Sequence, residues 1–285
     1  MNFVASYPKS GNTWIRMVVA AYSRDSLGAS DFIKFGDEEI FSSFEWIDAS
    51  QYNYQPVSTI PLSNIDLPLQ VRLRAAAMLV LEREVEIARR KEETIVVKSH
   101  HLHGTVNGFN LWSPEWTDCV VNPVRDPREI CCSFAAHLGE DYADTAAYMA
   151  RSKAQIASQN GLLEHLLGAW STHVRSWTET EEVPVYTVRY EDMKTNPVET
   201  FYDVLNFLNV SNLSMERVER ANEKTRFDKV KKAEQKHGRF PESGSQQDQF
   251  FRSGQTDGWR EELPSQVARK IESDHGEMME KLGYL

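Results

Sequence analysis

An α/β fold with a central, mostly parallel sheet flanked by helices is predicted by three features of this sequence. Short β-branched runs recur along the chain: Thr94-Ile95-Val96-Val97-Lys98, Cys119-Val120-Val121-Asn122-Pro123-Val124 and Val183-Pro184-Val185-Tyr186-Thr187-Val188. Such continuous apolar strands are typical of parallel sheets covered on both faces. Helix-patterned segments alternate with them, as a doubly wound sheet requires. The first strand-like run, residues 2–6, opens the chain and passes through a turn-rich stretch into a helix.

Taken in order, residues 2–6 read as a strand, Tyr7-Pro8-Lys9-Ser10-Gly11-Asn12-Thr13 as a loop, and residues 14–22 as a helix with apolar positions at helical spacing. Residues 23–65 are irregular and aromatic-rich, with Phe32, Phe35, Phe41, Phe44 and Trp46; they either line a pocket or pack over the core. Residues 71–91 form a helix by periodicity, and their Arg/Glu alternation supplies pairs three or four apart. After the strands at 94–98 and 119–124, helices are expected at 127–138, 142–151 and 162–180. The last strand covers 183–188 and further helices cover 197–208 and 264–282. Residues 237–256, rich in Gly, Ser and Gln, read as a long loop, a length that is often functional. No linker divides the chain, which is read as one domain over residues 1–285.

Composition narrows the function. A chain 41% hydrophobic and 26% charged is neither disordered nor membranous, and no apolar run is long enough to span a bilayer. The first residues lack the basic and apolar regions of a signal peptide. Three cysteines, Cys119, Cys131 and Cys132, make neither a disulfide framework nor a zinc spacing, so a reducing cytoplasm is expected. The net charge of −10 argues against a non-specific nucleic-acid binder. It leaves room for an anion held by a few local cations, and its long-range field favours a neutral or cationic small-molecule partner.

The loop at residues 7–13 carries the first chemistry. A glycine turn between a strand and a helix aims several backbone N–H groups and the positive helix end at one point, which suits a phosphate. Lys9 adds a full charge; Ser10, Asn12 and Thr13 add side-chain donors, and Trp14 a flat face for a base. The lysine precedes Gly11, so the loop is not the nucleoside-triphosphatase type, in which Gly-Lys-Ser/Thr ends the loop.

Ser6-Tyr7-Pro8-Lys9-Ser10-Gly11-Asn12-Thr13-Trp14 resembles the 5′-phosphosulfate loop of the cytosolic sulfotransferases, enzymes that use 3′-phosphoadenosine 5′-phosphosulfate (PAPS). Three further stretches resemble the same family in the expected order, and together the four extend from about Ser6 to Arg260. In Arg125-Asp126-Pro127-Arg128-Glu129-Ile130-Cys131-Cys132-Ser133, the resemblance implies that Arg125 and Ser133 hold the 3′-phosphate. A planar guanidinium pairs with phosphate oxygens bidentately. In Arg189-Tyr190-Glu191-Asp192-Met193 it places Tyr190 by the adenine, with Glu191 and Asp192 as loop and cap residues. In Phe251-Arg252-Ser253-Gly254-Gln255-Thr256-Asp257-Gly258-Trp259-Arg260 it sets Arg252, Ser253 and Gly254 over the 3′-phosphate, and the preceding loop is expected to order with nucleotide. Thr225 and Phe227 border the adenine by a looser match.

Val97-Lys98-Ser99-His100-His101-Leu102 is similar to the family's Lys-x-His stretch, which makes His100 the general base for the acceptor hydroxyl. An imidazole suits that task near neutral pH. Strand alternation puts Lys98 and His100 on one face and His101 on the other, while His103 is a further neighbour. Lys9 and Lys98 are the cations for charge developing in an in-line transfer. The resemblance also implies a contact between Ser133 and Lys9 that limits wasteful hydrolysis. The sequence shows no acidic cluster with metal spacing, and no metal is expected. The acceptor is expected to be a small molecule, a phenol or aromatic alcohol or amine, with Phe109, Trp112 and Trp116 as further pocket candidates; a larger natural product is the rival. A kinase-like phosphotransferase lacks its Gly-Lys-Ser/Thr here, and a nucleotide-binding module without catalysis leaves Lys9, Lys98 and His100 unexplained. The family's dimer motif is absent after Trp259, which leaves oligomeric state open.

Overall fold

The computed structural model describes residues 1–34, 46–90, 94–238, 240 and 249–285. In chain order, β1 (Asn2–Ala5) feeds α1 (Asn12–Ser23), and α2 (Gln51–Tyr54) and α3 (Leu67–Arg89) lead to β2 (Val96–Ser99). A short hairpin, β3 (Thr105–Val106) and β4 (Phe109–Asn110), precedes β5 (Cys119–Val124), α4 (Pro127–Leu138) and α5 (Tyr142–Met149). A second small ladder pairs β6 (Gln155–Ile156) with β7 (His165–Leu166), and α6 (Trp170–Thr178) leads to β8 (Val185–Arg189). The rest is helical: α7 (Tyr190–Thr195), α8 (Pro197–Phe207), α9 (Met215–Thr225), α10 (Phe227–His237), α11 (Trp259–Glu262) and α12 (Ser265–Lys281).

The central sheet is parallel, in the order β2-β1-β5-β8. Alternate residues leave it on opposite sides, because the side-chain period of a strand is two. Val4, Val96 and Val121 enter a core with α1, α8 and α9, while Phe3, Val97 and Val120 enter a core with α3. The chain leaves β1 for β2 on one side and leaves β5 for β8 on the other. A crevice therefore opens between the carboxyl ends of β1 and β5, where open α/β sheets bind their ligands. Local signals set the helix starts: Asp66, Asp126 and Asp141 each accept a backbone N–H as caps of α3, α4 and α5. Proline stands in the first turn of α3 and α4.

Two expectations need correction. The helix read over residues 162–180 begins only at Trp170. Gly168, at φ +64, turns the chain there, and residues 165–166 instead pair as β7. The segment at Glu191 and Asp192 is the first turn of α7 rather than a loop. Besides the short α2, α7 and α11, two longer helices were not expected from the sequence. In α9 and α10 most residues are charged, and only Val218, Ala221 and Thr225, or Val230, Ala233 and Glu234, are buried. Their few apolar residues lie on one face of a helix that is otherwise mostly charged. Among the described residues no helix is long and apolar enough to cross a membrane.

Candidate active site

The loop after β1 folds around two residues with positive φ, Lys9 at 67° and Gly11 at 107°. That conformation turns successive backbone N–H groups toward one side, an anion-binding concavity. At φ 107° any side chain on residue 11 would be strained, and its Cβ would stand 2.7 Å from Met193 Cε and 3.0 Å from the Tyr190 ring. Asn12 does something the sequence did not show. Its Nδ2 donates to the Val4 carbonyl at 2.8 Å and to Ser6 Oγ at 3.3 Å, tying the loop to its own strand. Its side-chain donors are thus spent on the protein, which corrects the expectation that they face a phosphate. Ser10 is buried with an unpartnered Oγ and does not line the cavity that the loop borders.

That cavity holds about 800 Å³. The loop supplies Lys9, Gly11, Asn12, Thr13 and Trp14; β2 supplies Lys98 and, just beyond it, His100. Arg125 after β5, Ser133 on α4 and Tyr190 after β8 join them, with Thr225, Phe227, Arg252, Ser253 and Gly254 from the C-terminal part. Apart from Ser10, every site residue read from the sequence meets there.

Arg125 is stapled into place. Its Nη1 donates to the Lys9 carbonyl at 3.1 Å and its Nη2 to the Gln255 carbonyl at 2.7 Å, while its guanidinium lies 4.2 Å from the Tyr190 ring centroid. The Glu129 carboxylate is a longer 3.4 Å away. Arg125 Nε has no partner. Arg252 donates through Nη1 to Glu262 at 2.7 Å, yet its Nε and Nη2 are buried without partners. Buried guanidinium donors left unpaired are costly, and an anion with several oxygens answers them. Gly254, at φ +64, packs against Phe227 so closely that a Cβ would meet the ring at 2.6 Å. Trp14 stands edge-on to Tyr190 at 5.9 Å and to Phe201 at 5.1 Å, with Nε1 buried and unpartnered. The Lys9 ammonium lies 4.3 Å from the centroid of Phe250. Glu234 accepts the backbone N–H groups of Phe240, Phe250 and Phe251 at 3.1, 2.8 and 3.0 Å, fixing the chain on either side of residues 241–248. Those residues, most of the loop expected to order with nucleotide, lie outside the described residues.

The three neighbouring histidine candidates, His100, His101 and His103, separate cleanly. His100 Nδ1 lies 2.8 Å from the Ser6 carbonyl oxygen, which can only accept. Nδ1 therefore carries the hydrogen, and in the neutral ring the lone pair is on Nε2. His101 is fully buried, and its Nδ1 accepts the Leu166 N–H at 3.1 Å. Burial and the charge of Arg74 hold its pKa well below the usual value. His103 turns toward Trp177 and Glu182, outside the cavity.

Residues that sequence reading missed hold this segment. His173 Nε2 lies 3.2 Å from the His100 carbonyl, Trp177 Nε1 donates to the His101 carbonyl at 3.2 Å and Trp112 Nε1 to that of Leu102 at 2.9 Å. Burial lowers the His173 pKa to about 4, so it stays neutral. No spacing in the sequence links α6 to residues 100–102. Asp48, His101 and His165 also bring one ligand-type atom each within 4.8 Å. The neutral tautomer of His101 carries its hydrogen on Nε2, and Arg74 already balances Asp48 at 2.6 Å. Asp48 Oδ1, His101 Nε2 and His165 Nε2 are each buried without a hydrogen-bond partner.

The pocket expectation for the aromatic residues is corrected. Trp112 and Trp116 pack edge-on to Phe3 at 5.0 and 6.0 Å, and Phe109 stands exposed on β4. Phe32 is in the core on the α1 side of the sheet and Trp46 packs against the core on the α3 side, while Phe35, Phe41 and Phe44 lie outside the described residues. The far end of the cavity is lined by Phe134, Leu138, Tyr148, Ile156, Leu163 and His165.

Comparison with known proteins places this geometry. The family model for the sulfotransferase domain matches residues 2–283. The chain is 21% identical over 282 residues to the luciferin sulfotransferase of Photinus pyralis, covering 94% of this chain and 69% of that protein. Among solved structures, retinol dehydratase in complex with androsterone and inactive cofactor PAP is similar with a TM-score of 0.61 at 18% identity, over 98% of this chain and 80% of that one. Mouse sulfotransferase SULT7A1 complexed with PAP is similar with a TM-score of 0.55 at 18% identity, over 98% and 84%.

Proposed function

The protein belongs to the sulfotransferase domain family, and from that premise we propose that residues 1–285 form one PAPS-dependent sulfotransferase domain, acting on a hydroxyl of a small acceptor. The donor supplies an activated sulfuryl group and leaves as 3′,5′-bisphosphoadenosine (PAP). One observation carries the reading: phosphate-type donors, two arginines with unpaired buried N–H groups and a tautomer-fixed imidazole face one cavity.

The loop N–H groups, Thr13 and Lys9 hold the 5′ end of the nucleotide. Arg125, Ser133 and Arg252, with the backbone of Ser253 and Gly254, hold the 3′-phosphate, and Trp14, Tyr190, Thr225 and Phe227 border the adenine. His100 takes the acceptor proton on Nε2, since Nδ1–H is committed to the Ser6 carbonyl. Lys9 and Lys98 stabilise charge that develops on the transferring and departing oxygens. The apolar far end, with Phe134, Tyr148 and Ile156, suits a phenol or other aromatic alcohol or amine. Three unpaired buried cysteines suit a cytoplasmic setting.

The test is calorimetry with PAP followed by transfer from PAPS to a panel of phenols, alcohols and amines. Binding with turnover of at least one hydroxyl acceptor is expected. Folded protein that does not bind PAP overturns the reading.

A further inference from the structure

The segment that carries Arg252, residues 249–258, has no helix or strand of its own, so its backbone groups need partners from elsewhere. One face of α10 supplies them. Phe227, Lys231 and Glu234 stand at i, i+4 and i+7, a spacing that brings three side chains to the same side of a helix. Glu234 is 3% exposed, and besides the Phe240 N–H its two oxygens take those of Phe250 and Phe251. Lys231 Nζ donates to the Arg252 carbonyl at 2.6 Å. Phe227 stands edge-on to Phe251 at 6.2 Å between centroids and closes on Gly254. Neither Lys231 nor Glu234 lines the cavity, whereas Phe250, Arg252, Ser253 and Gly254 all do.

We propose that Lys231 and Glu234 are positioning residues for the nucleotide: from one face of α10 they hold the backbone of residues 250–252 so that Arg252 is presented to the 3′-phosphate. The inference rests on the sulfotransferase reading and on Arg252 as a 3′-phosphate donor. A carboxylate that accepts from backbone N–H groups makes charge-assisted bonds, and with both oxygens engaged it fixes where Phe250 and Phe251 lie against the helix. Its removal leaves the N–H groups of Phe240 and Phe251 buried without an acceptor, a cost the segment relieves by moving. An arginine on a displaced backbone loses its aim with its own atoms unchanged, because its donors must come within about 3 Å of the phosphate oxygens. A backbone held in place before the ligand arrives also spares binding the cost of ordering it.

The experiment measures PAP affinity by calorimetry for Glu234→Ala and Lys231→Met, each alone and combined with Arg252→Ala, with circular dichroism as the folding control. Glu234→Ala is expected to weaken PAP binding about tenfold and Lys231→Met about fivefold. In the Arg252→Ala background both losses are expected to shrink below about twofold, because they run through that side chain. A purely structural role lowers Tm and shows no such coupling. Should Glu234→Ala fail to fold, Glu234→Gln, which keeps one acceptor oxygen, gives the same coupling readout with a smaller loss. PAP affinity within about twofold of wild type in either folded alanine or methionine variant overturns the inference. So does a loss of equal size with and without Arg252, or an Arg252→Ala variant that binds PAP as tightly as the wild type. No PAP binding by the folded wild type sinks the sulfotransferase reading itself.

Discussion

At the proposed nucleotide end of the cavity the lining groups come in runs close in sequence: Lys9 to Trp14, Arg125 to Ser133, Arg252 to Gly254. At the acceptor end they come singly, from β2, α4, α5, the β6–β7 ladder and the isolated segment around Asp48. The first end is a set of cations and backbone donors, with Arg125 Nε and Arg252 Nε and Nη2 buried without partners. The second is a layer of imidazoles already bonded to the chain, with His101 and His173 fully buried. The difference teaches a division of labour. Under the proposed function, one end would wait for charge and the other would hold proton positions fixed before an acceptor arrives.

That division is open to direct attack, most forcefully at His100. His100→Ala is expected to lower kcat by about 10²–10⁴-fold while calorimetric PAP affinity stays within about twofold. A parallel loss of PAP binding would merge the two ends. Arg252→Ala is the mirror experiment. Removing charge-assisted bonds to the 3′-phosphate is expected to weaken PAP binding by roughly 10- to 100-fold, with a much smaller change in kcat at saturating PAPS. An unchanged dissociation constant would mean that the unpaired Nε and Nη2 are not nucleotide donors.

The smallest effect concerns stability against acid. Burial lowers the His173 and His275 pKa values to about 4, against about 6.5 in the unfolded chain. Between those values the unfolded state binds more protons, so stability rises with pH and is lost as pH falls from about 6.5 toward 4. Each group contributes at most about 1.4 kcal/mol per pH unit in that window. Thermal unfolding followed from pH 7 to pH 5 is expected to show a falling Tm, with a shallower fall in His275→Gln. An equal slope in that variant would mean His275 does not titrate as a buried neutral group.

The sequence by itself determined the sheet, because β-branched runs buried on both faces suit a parallel sheet, and it marked one loop as a candidate phosphate cradle, because such a cradle is made from consecutive backbone N–H groups that a single loop encodes. It also marked Lys98 and His100 as sharing a strand face. Only the tertiary structure decided the rest. Asn12 reads as a phosphate donor until its amide is seen bonded to β1 and Ser6. The choice among His100, His101 and His103 depends on a Ser6 carbonyl, a Leu166 N–H and a turn toward Glu182, far apart in the chain. His165 and Asp48 stand 117 positions apart, and no local pattern encodes their meeting. Hydrogen bonds that fix a tautomer act over about 3 Å in space at any separation in sequence, so burial and packing write them, and periodicity does not.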